Sequence, residues 1–244
     1  MPSELEPKHI GIVACSAEGA ALCYRTICAE AGAVMGEHNH PEITMHTHPL
    51  ARYVPHIESG NWRQVAELML SSAGKLAQVG AQFLICPDNT IHQAFDLILP
   101  RSPSPWIHIA SPIAKEAGAR GFKRLGILGT RYLMEGPVYP EALKPHGVST
   151  RIPAQEDRER INSIIFGELV RGVFPEASRL YLNGVIQKLE DEGCDAVVLG
   201  CTELPLIVRP DDAPLPTLDS TRLLARAALF EAINLAGIAR QATK

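Results

Sequence analysis

Apolar positions along the chain alternate between two spacings. Short, nearly continuous apolar runs read as strands buried on both faces. His9 to Cys15 (HIGIVAC), Ala81 to Cys86, Arg124 to Leu128 (RLGIL) and Ala196 to Gly200 (AVVLG) are such runs, and Trp106 to Ile109 is a shorter one. Between them the spacing becomes helical. Ala20 to Ala31 predicts a helix closed by Gly32. Asn61 to Val79 is amphipathic, with Trp62, Val65, Ala66, Met69 and Leu76 inward and Gly80 as its stop. Ser111-Pro112 reads as a helix start. Glu156 to Val170 and Ala177 to Glu192 are helical, and Asp219 and Ser220 offer caps for a last helix through Ile238. Gly36 to Pro55, rich in His and Pro, reads as a loop. Strands alternating with helices predict an α/β fold with parallel sheets.

The pattern repeats. Gly11-Ile12-Val13 returns as Gly126-Ile127-Leu128, and KLAQVGAQFLICPDNT returns as KLEDEGCDAVVLGCTE. Setting Gly80 on Gly193 aligns Asp88 with Cys201, Asn89 with Thr202 and Thr90 with Glu203. Each half is then expected to supply one polar turn at the carboxyl end of a strand, the edge where open parallel sheets bind ligands. The expected domains are residues 1–116 with a returning 218–244, and residues 117–217.

Composition narrows the function classes. The formal net charge of the 244 residues is −4, and no basic face is visible, so neither nucleic acid nor an anionic membrane is an expected partner. No apolar run approaches the length of a membrane span, and the start of the chain lacks the basic and apolar regions of a signal peptide. Six cysteines without an export signal read as reduced thiols of a cytoplasmic protein. No glycine-rich phosphate loop is present, so no nucleotide cofactor is indicated.

Two turns carry the candidate chemistry. GCTELP (Gly200 to Pro205) puts Cys201 just past a strand, at an expected helix N-terminus that would favour the thiolate, beside Thr202 and Glu203. CPDNTIH (Cys86 to His92) clusters Asp88, Asn89 and Thr90, with His92 one helical turn past Asp88, placed to orient or titrate it or simply to pack. Ser16, with Glu18 near it, follows the first strand, and Thr130 holds the matching place in the second half. Their hydroxyls suit either a carboxylate or turn and cap chemistry. Arg52 is a candidate for a second carboxylate, or a surface arginine. His38, His40, His46 and His48 form two H-x-H pairs that zinc could use.

NTIH at 89–92 and GCTEL at 200–204 resemble the paired signatures of the aspartate/glutamate racemase superfamily, which also includes hydantoin racemase, maleate isomerase and arylmalonate decarboxylase. HPLARYVPHIESGNW at 48–62, LGILGT at 125–130 and LDSTRLLARAA at 218–228 extend the resemblance over the whole chain. It implies two pseudo-symmetric, Rossmann-like parallel-sheet domains with the active site in the cleft between them. It further implies a homodimer needing neither pyridoxal phosphate nor metal, acting on a small carboxylate or amino-acid substrate. In that family one cysteine per domain takes and returns the Cα proton on opposite faces, as inversion at a planar intermediate demands. Asn89, Thr90 and Thr202 resemble the groups that hold the substrate carboxylate, and the position of Arg52 resembles that of a substrate-binding arginine. The histidine-rich stretch matches a substrate-covering loop. The chain departs from the pattern at Asp88, where the racemase signature has its first cysteine. Either Asp88 opposes Cys201, the reading favoured by the repeat, or Cys86, two residues earlier, does. The implied activity is racemisation or epimerisation of an acidic amino acid. A decarboxylase or cis–trans isomerase of a small dicarboxylate, and a non-catalytic ligand-binding homologue, are the alternatives.

Overall fold

The computed structural model describes residues 6–233. Its strands are β1 (Ile10–Ala14), β2 (Ile43–Thr47), β3 (Phe83–Ile85), β4 (Trp106–Ile107), β5 (Arg124–Leu128), β6 (Ser149–Arg151), β7 (Ala196–Leu199) and β8 (Thr217–Asp219). Its helices are α1 (Ala17–Met35), α2 (Leu50–Glu58), α3 (Trp62–Gln78), α4 (Phe95–Ile98), α5 (Ala110–Arg120), α6 (Arg131–Met134), α7 (Val138–Leu143), α8 (Gln155–Gly167), α9 (Glu176–Asp191), α10 (Leu204–Ile207) and α11 (Ser220–Ile233). The expected last stretch of the final helix, to Ile238, lies outside the described residues.

The strands form two four-stranded parallel sheets, ordered β2-β1-β3-β4 and β6-β5-β7-β8. The second order is the first with four added to every number, so the repeat read in the sequence is a repeat of topology. Its equivalent glycines do equivalent work. Gly80 and Gly193 end α3 and α9 at φ 95° and 85°, a conformation that a side chain disfavours. Gly11 and Gly126 lie in the first strand of each sheet, where a Cβ would come within 2.5 Å of Leu84 and 2.8 Å of Leu189.

The chain divides into two compact units. The first holds the described residues up to Pro87, Ala94–His108 and those from Leu224 on. The second holds Asp88–Gln93 and Ile109–Leu223. In the first, β1 and β3 are buried throughout, and α3 packs on β1 and β2. Val65, Ala66, Met69 and Leu76 face inward from α3 as its period predicts, joined by Leu68, while Trp62 is only partly buried. In the second, Ile161, Ile164 and Ile165 of α8 and Leu182, Val185, Ile186 and Leu189 of α9 form a core with Leu128, Val197 and Leu199 of the sheet.

Gly36 to Pro55 is not the continuous loop the sequence suggests. It contains β2 and the start of α2. β2 is an edge strand whose residues are half-buried or exposed, so it lacks the apolar run that marks a central strand. β6 and β8 likewise lack an apolar run: each has three residues and sits at a sheet edge.

The first unit carries a pH-dependent element. Burial pulls His108 down to about 4, against a weaker opposing pull from Asp96, and Phe95 stacks edge-on to its ring at 4.6 Å. Burial and the Lys75 charge lower His46, and burial with His46, Lys75 and Arg52 lowers His48. All three histidines take up protons more readily when unfolded. Stability is therefore full above about pH 6.5 and falls as pH drops toward 4, with His108 alone contributing about 3 kcal/mol to the loss. Urea denaturation between pH 7 and 4 is expected to show this, and a His108→Phe variant to flatten it.

Candidate active site

Both polar turns belong to the second unit. The sequence repeat assigned one to each half. The Asp88 turn does leave β3 of the first sheet, but its hydrogen bonds run into the second unit's own residues. The Thr90 and Thr130 hydroxyls meet at 2.9 Å. Gln93 Nε2 donates to the Tyr132 carbonyl at 2.7 Å. The backbone N–H of Ile109 donates to His92 Nε2 at 3.3 Å, which makes His92 Nδ1 the donor to the Asp88 carbonyl at 2.9 Å. His92 is buried, and its bonds to the Asp88 carbonyl and from the Ile109 N–H brace the turn.

The other turn follows β7. Cys201 is 8% exposed, and Thr202 and Glu203 are buried beside it. The Cys201 thiol donates to Glu203 Oε2 at 2.9 Å, and the Thr202 hydroxyl donates to the same oxygen at 2.7 Å. The expectation of a thiolate is overturned here. Burial raises the Cys201 thiol well above its usual range, the Glu203 carboxylate raises it further, and the Asp88 carboxylate adds to the effect. The helix that was to lower it is α10, a four-residue turn starting three residues later, too short for an appreciable dipole. At rest Cys201 is a protonated acid whose proton points at a carboxylate. That arrangement suits proton delivery, and Asp88, half-buried and acting on the same thiol, is a carboxylate suited to proton removal.

Asn89 is tied down. Its Oδ1 accepts from the Tyr139 hydroxyl at 2.5 Å, and its Nδ2 donates to Ser220 Oγ at 3.0 Å. Tyr139 was not legible as a site residue, and Ser220 was read only as a cap. Thr130 accepts from the Leu133 N–H at 3.2 Å as N-cap of α6, besides meeting Thr90.

The remaining candidates lie in the first unit. Ser16 caps α1, accepting from the Gly19 N–H at 3.3 Å. Cys86 is wholly buried directly after β3. Arg52, exposed on α2, donates to His48 Nδ1 at 3.2 Å. His48 and His46 stack edge-to-face at 4.8 Å; Ser71 and Ser72 also bond them, and Lys75 lies 2.9 Å from His46 Nε2. His40 bonds the Pro41 carbonyl, and His38 is exposed at φ 63°. Among the described residues, no group of three or more His, Cys, Asp or Glu side chains is disposed to hold a metal.

Gly200 holds the Cys201 turn against its neighbours. A Cβ there would lie 2.9 Å from the Leu128 carbonyl oxygen and 2.5 Å from Leu133 Cδ2. The carbonyl belongs to a sheet strand and cannot retreat cheaply. Gly200→Ala is expected to cost about 2 kcal/mol, read from the denaturation midpoint.

The protein is thus a repeated parallel α/β scaffold whose second unit holds a buried thiol, two carboxylates and paired threonine hydroxyls. The family description Asp/Glu/Hydantoin racemase matches residues 10–228, and the chain belongs to that family. It is 23% identical over 166 residues to the broad specificity amino-acid racemase RacX of Bacillus subtilis (strain 168), spanning 67% of this chain and 70% of that protein. The crystal structure of a candidate Asp/Glu racemase from Yersinia pestis superposes with a TM-score of 0.85 at 33% identity, covering 93% of this chain and 99% of that one. An aspartate racemase homologue from Pyrococcus horikoshii OT3 gives 0.79 at 26% identity, covering 94% and 99%. These relatives support an isomerase of the racemase type. Among the described residues, no helix is long and apolar enough to cross a membrane.

Proposed function

We propose that the protein racemises or epimerises a small acidic amino acid, of the aspartate or glutamate kind, by proton transfer between Asp88 and Cys201. The observation that carries this reading is the Cys201 thiol donating to Glu203 while the Asp88 carboxylate acts on the same thiol. Asp88 as carboxylate removes the Cα proton. The electron pair passes into the α-carboxylate as an enediolate. The Cys201 S–H protonates the opposite face, ending as thiolate, and Asp88 ends as the acid. The reverse reaction starts from that second protonation state. The added negative charge of the enediolate needs hydrogen-bond donors, a role that suits the Thr90 and Thr130 hydroxyls. Thr202 and Glu203 set the Cys201 proton, and Asn89 and His92 hold the Asp88 turn. Cys86, wholly buried in the other unit, is the weaker candidate for the second acid/base.

The reaction as drawn uses side-chain groups alone, so the enzyme is proposed to work without pyridoxal phosphate or metal. A cytoplasmic homodimer acting on a small carboxylate completes the reading; none of the six cysteines is in a disulfide, which fits a reducing compartment.

Chiral chromatography of L-aspartate, L-glutamate and a set of neutral L-amino acids incubated with the enzyme and a chelator, with no cofactor added, tests it. The expected result is a D-enantiomer from at least one acidic substrate. Asp88 in place of a second thiol also favours one-sided protonation, so the same assay includes a substituted malonate. Carbon dioxide release from malonate, without any racemisation, would replace the racemase reading by a decarboxylase.

A further inference from the structure

Four buried groups join the two polar turns. The Leu199 carbonyl, two residues before Cys201, can only accept, so the Ser220 hydroxyl must donate to it, at 2.9 Å. With its hydrogen spent, Ser220 Oγ accepts, so the nitrogen end of the Asn89 amide faces it at 3.0 Å. The oxygen end then faces Tyr139, whose hydroxyl donates at 2.5 Å. Burial raises the Tyr139 phenol far above its usual value, which keeps it a donor throughout the working pH range. Tyr139 and Ser220 are wholly buried, Leu199 is 1% exposed and Asn89 3%. The strand carbonyl, which cannot donate, sets the direction of the Ser220 and Asn89 steps, and the Tyr139 hydroxyl bonds Ser220 as well as Asn89. The orientation of the amide is therefore dictated by the fold.

From this arrangement we infer that Tyr139 and Ser220 are positioning residues, which hold Asp88 in place relative to Cys201 through the Asn89 amide. Asn89 adjoins Asp88 in the chain, and Leu199 ends the strand that delivers Cys201. The three residues between them, Tyr139, Asn89 and Ser220, come from α7, the Asp88 turn and the start of α11, so the relay ties three separate parts of the second unit to the end of β7. Buried polar chains of this kind hold geometry because breaking one link strands the next group without water. Asn89 then serves as the pivot of the relay, with the oxygen and nitrogen of its amide both engaged in it.

The consequence for catalysis rests on the proposed racemase reading; the consequence for the Cys201 thiol does not. Two variants and two readouts separate them. Tyr139→Phe removes one oxygen and leaves Asn89 Oδ1 without its donor. Ser220→Ala, a smaller change in volume, cuts the tie to Leu199. Misplacement by about 1 Å is enough to cost about 100-fold in a proton transfer, so each variant is expected to lower kcat by about 10- to 100-fold while KM stays within about twofold. Iodoacetamide labelling of Cys201, followed by peptide mass spectrometry from pH 6 to 11, supplies the second readout. With Asp88 released, its charge recedes from the thiol, and labelling of Cys201 is expected to begin at lower pH in both variants than in the parent. Native kcat and a native labelling profile in folded Ser220→Ala would overturn the inference, and a raised KM with unchanged kcat would too. If the parent shows no racemase activity, the labelling profile still decides.

Discussion

Cys201→Ala is expected to reduce racemisation by about a hundredfold to ten-thousandfold while leaving the fold intact. The thiol is the only group on its turn that can deliver a proton to a substrate carbon, and a positioned acid contributes on the order of 10²- to 10⁴-fold. The side chain is small and the cavity left by one sulfur is slight, so circular dichroism and the melting midpoint should stay close to the parent's. Asp88→Asn is expected to lose a comparable factor, because an amide can neither take nor return a proton at neutral pH. The two losses should not add. Both residues belong to one proton-transfer event, and the double variant should be nearly as slow as the worse single one. Cys86→Ala separates the alternatives: full activity assigns the second acid/base to Asp88, whereas loss comparable to that of Cys201→Ala moves it to Cys86. Rates for the single and double variants, measured from both enantiomers, decide all of this.

The second large effect is expected at Glu203. Its carboxylate accepts from both the Cys201 thiol and the Thr202 hydroxyl, and its charge is a main cause, after burial, of the raised thiol. Glu203→Gln keeps the shape and removes the charge. The thiol should then ionise at lower pH, so absorbance of the thiolate near 240 nm should rise earlier in a pH titration. The thiolate is then a weaker base, and the direction that starts from the Cys201 thiolate should slow by about tenfold or more in kcat. The equilibrium between enantiomers is fixed at one, so kcat/KM must fall equally in both directions. The asymmetry therefore has to show in kcat and KM separately. An unchanged thiol titration in Glu203→Gln would remove Glu203 from this role.

The sequence made the scaffold legible through its central strands. β1, β3, β5 and β7 are buried on both faces and appear as apolar runs, and the glycines that end α3 and α9 mark the repeat. Of the four edge strands only β4 shows as an apolar run; β2, β6 and β8 were illegible because their side chains answer to solvent on one face. β2 was absorbed into a histidine-rich loop, and the polar triplet Ser149–Arg151 passed as a connection. At the site, motif spacing brought out Asp88, Asn89, Thr90, Cys201, Thr202 and Glu203, since both turns sit directly after central strands. Two things were beyond its reach. The protonation state of Cys201 depends on burial and on which way the Glu203 side chain turns, and α10 is too short to act as the expected helix. Tyr139 stands 50 positions from its partner Asn89, and nothing in the local pattern around Val138–Leu143 distinguishes it from a core tyrosine. Asp88 itself carries a further lesson. Its turn leaves the first sheet just after β3, where the repeat places it, and Asn89, Thr90, His92 and Gln93 bond to residues of the second unit.

The central claim is that Asp88 and Cys201 exchange protons with the two faces of one substrate carbon. Proton NMR in D2O tests it most directly, following the Cα signal of L- and D-aspartate and L- and D-glutamate with the parent enzyme, Cys201→Ala and Asp88→Asn. The predicted result is loss of the Cα proton signal of one amino acid, together with formation of its enantiomer carrying deuterium, in the parent alone. No Cα exchange with any of the four, from a folded parent enzyme, would contradict it.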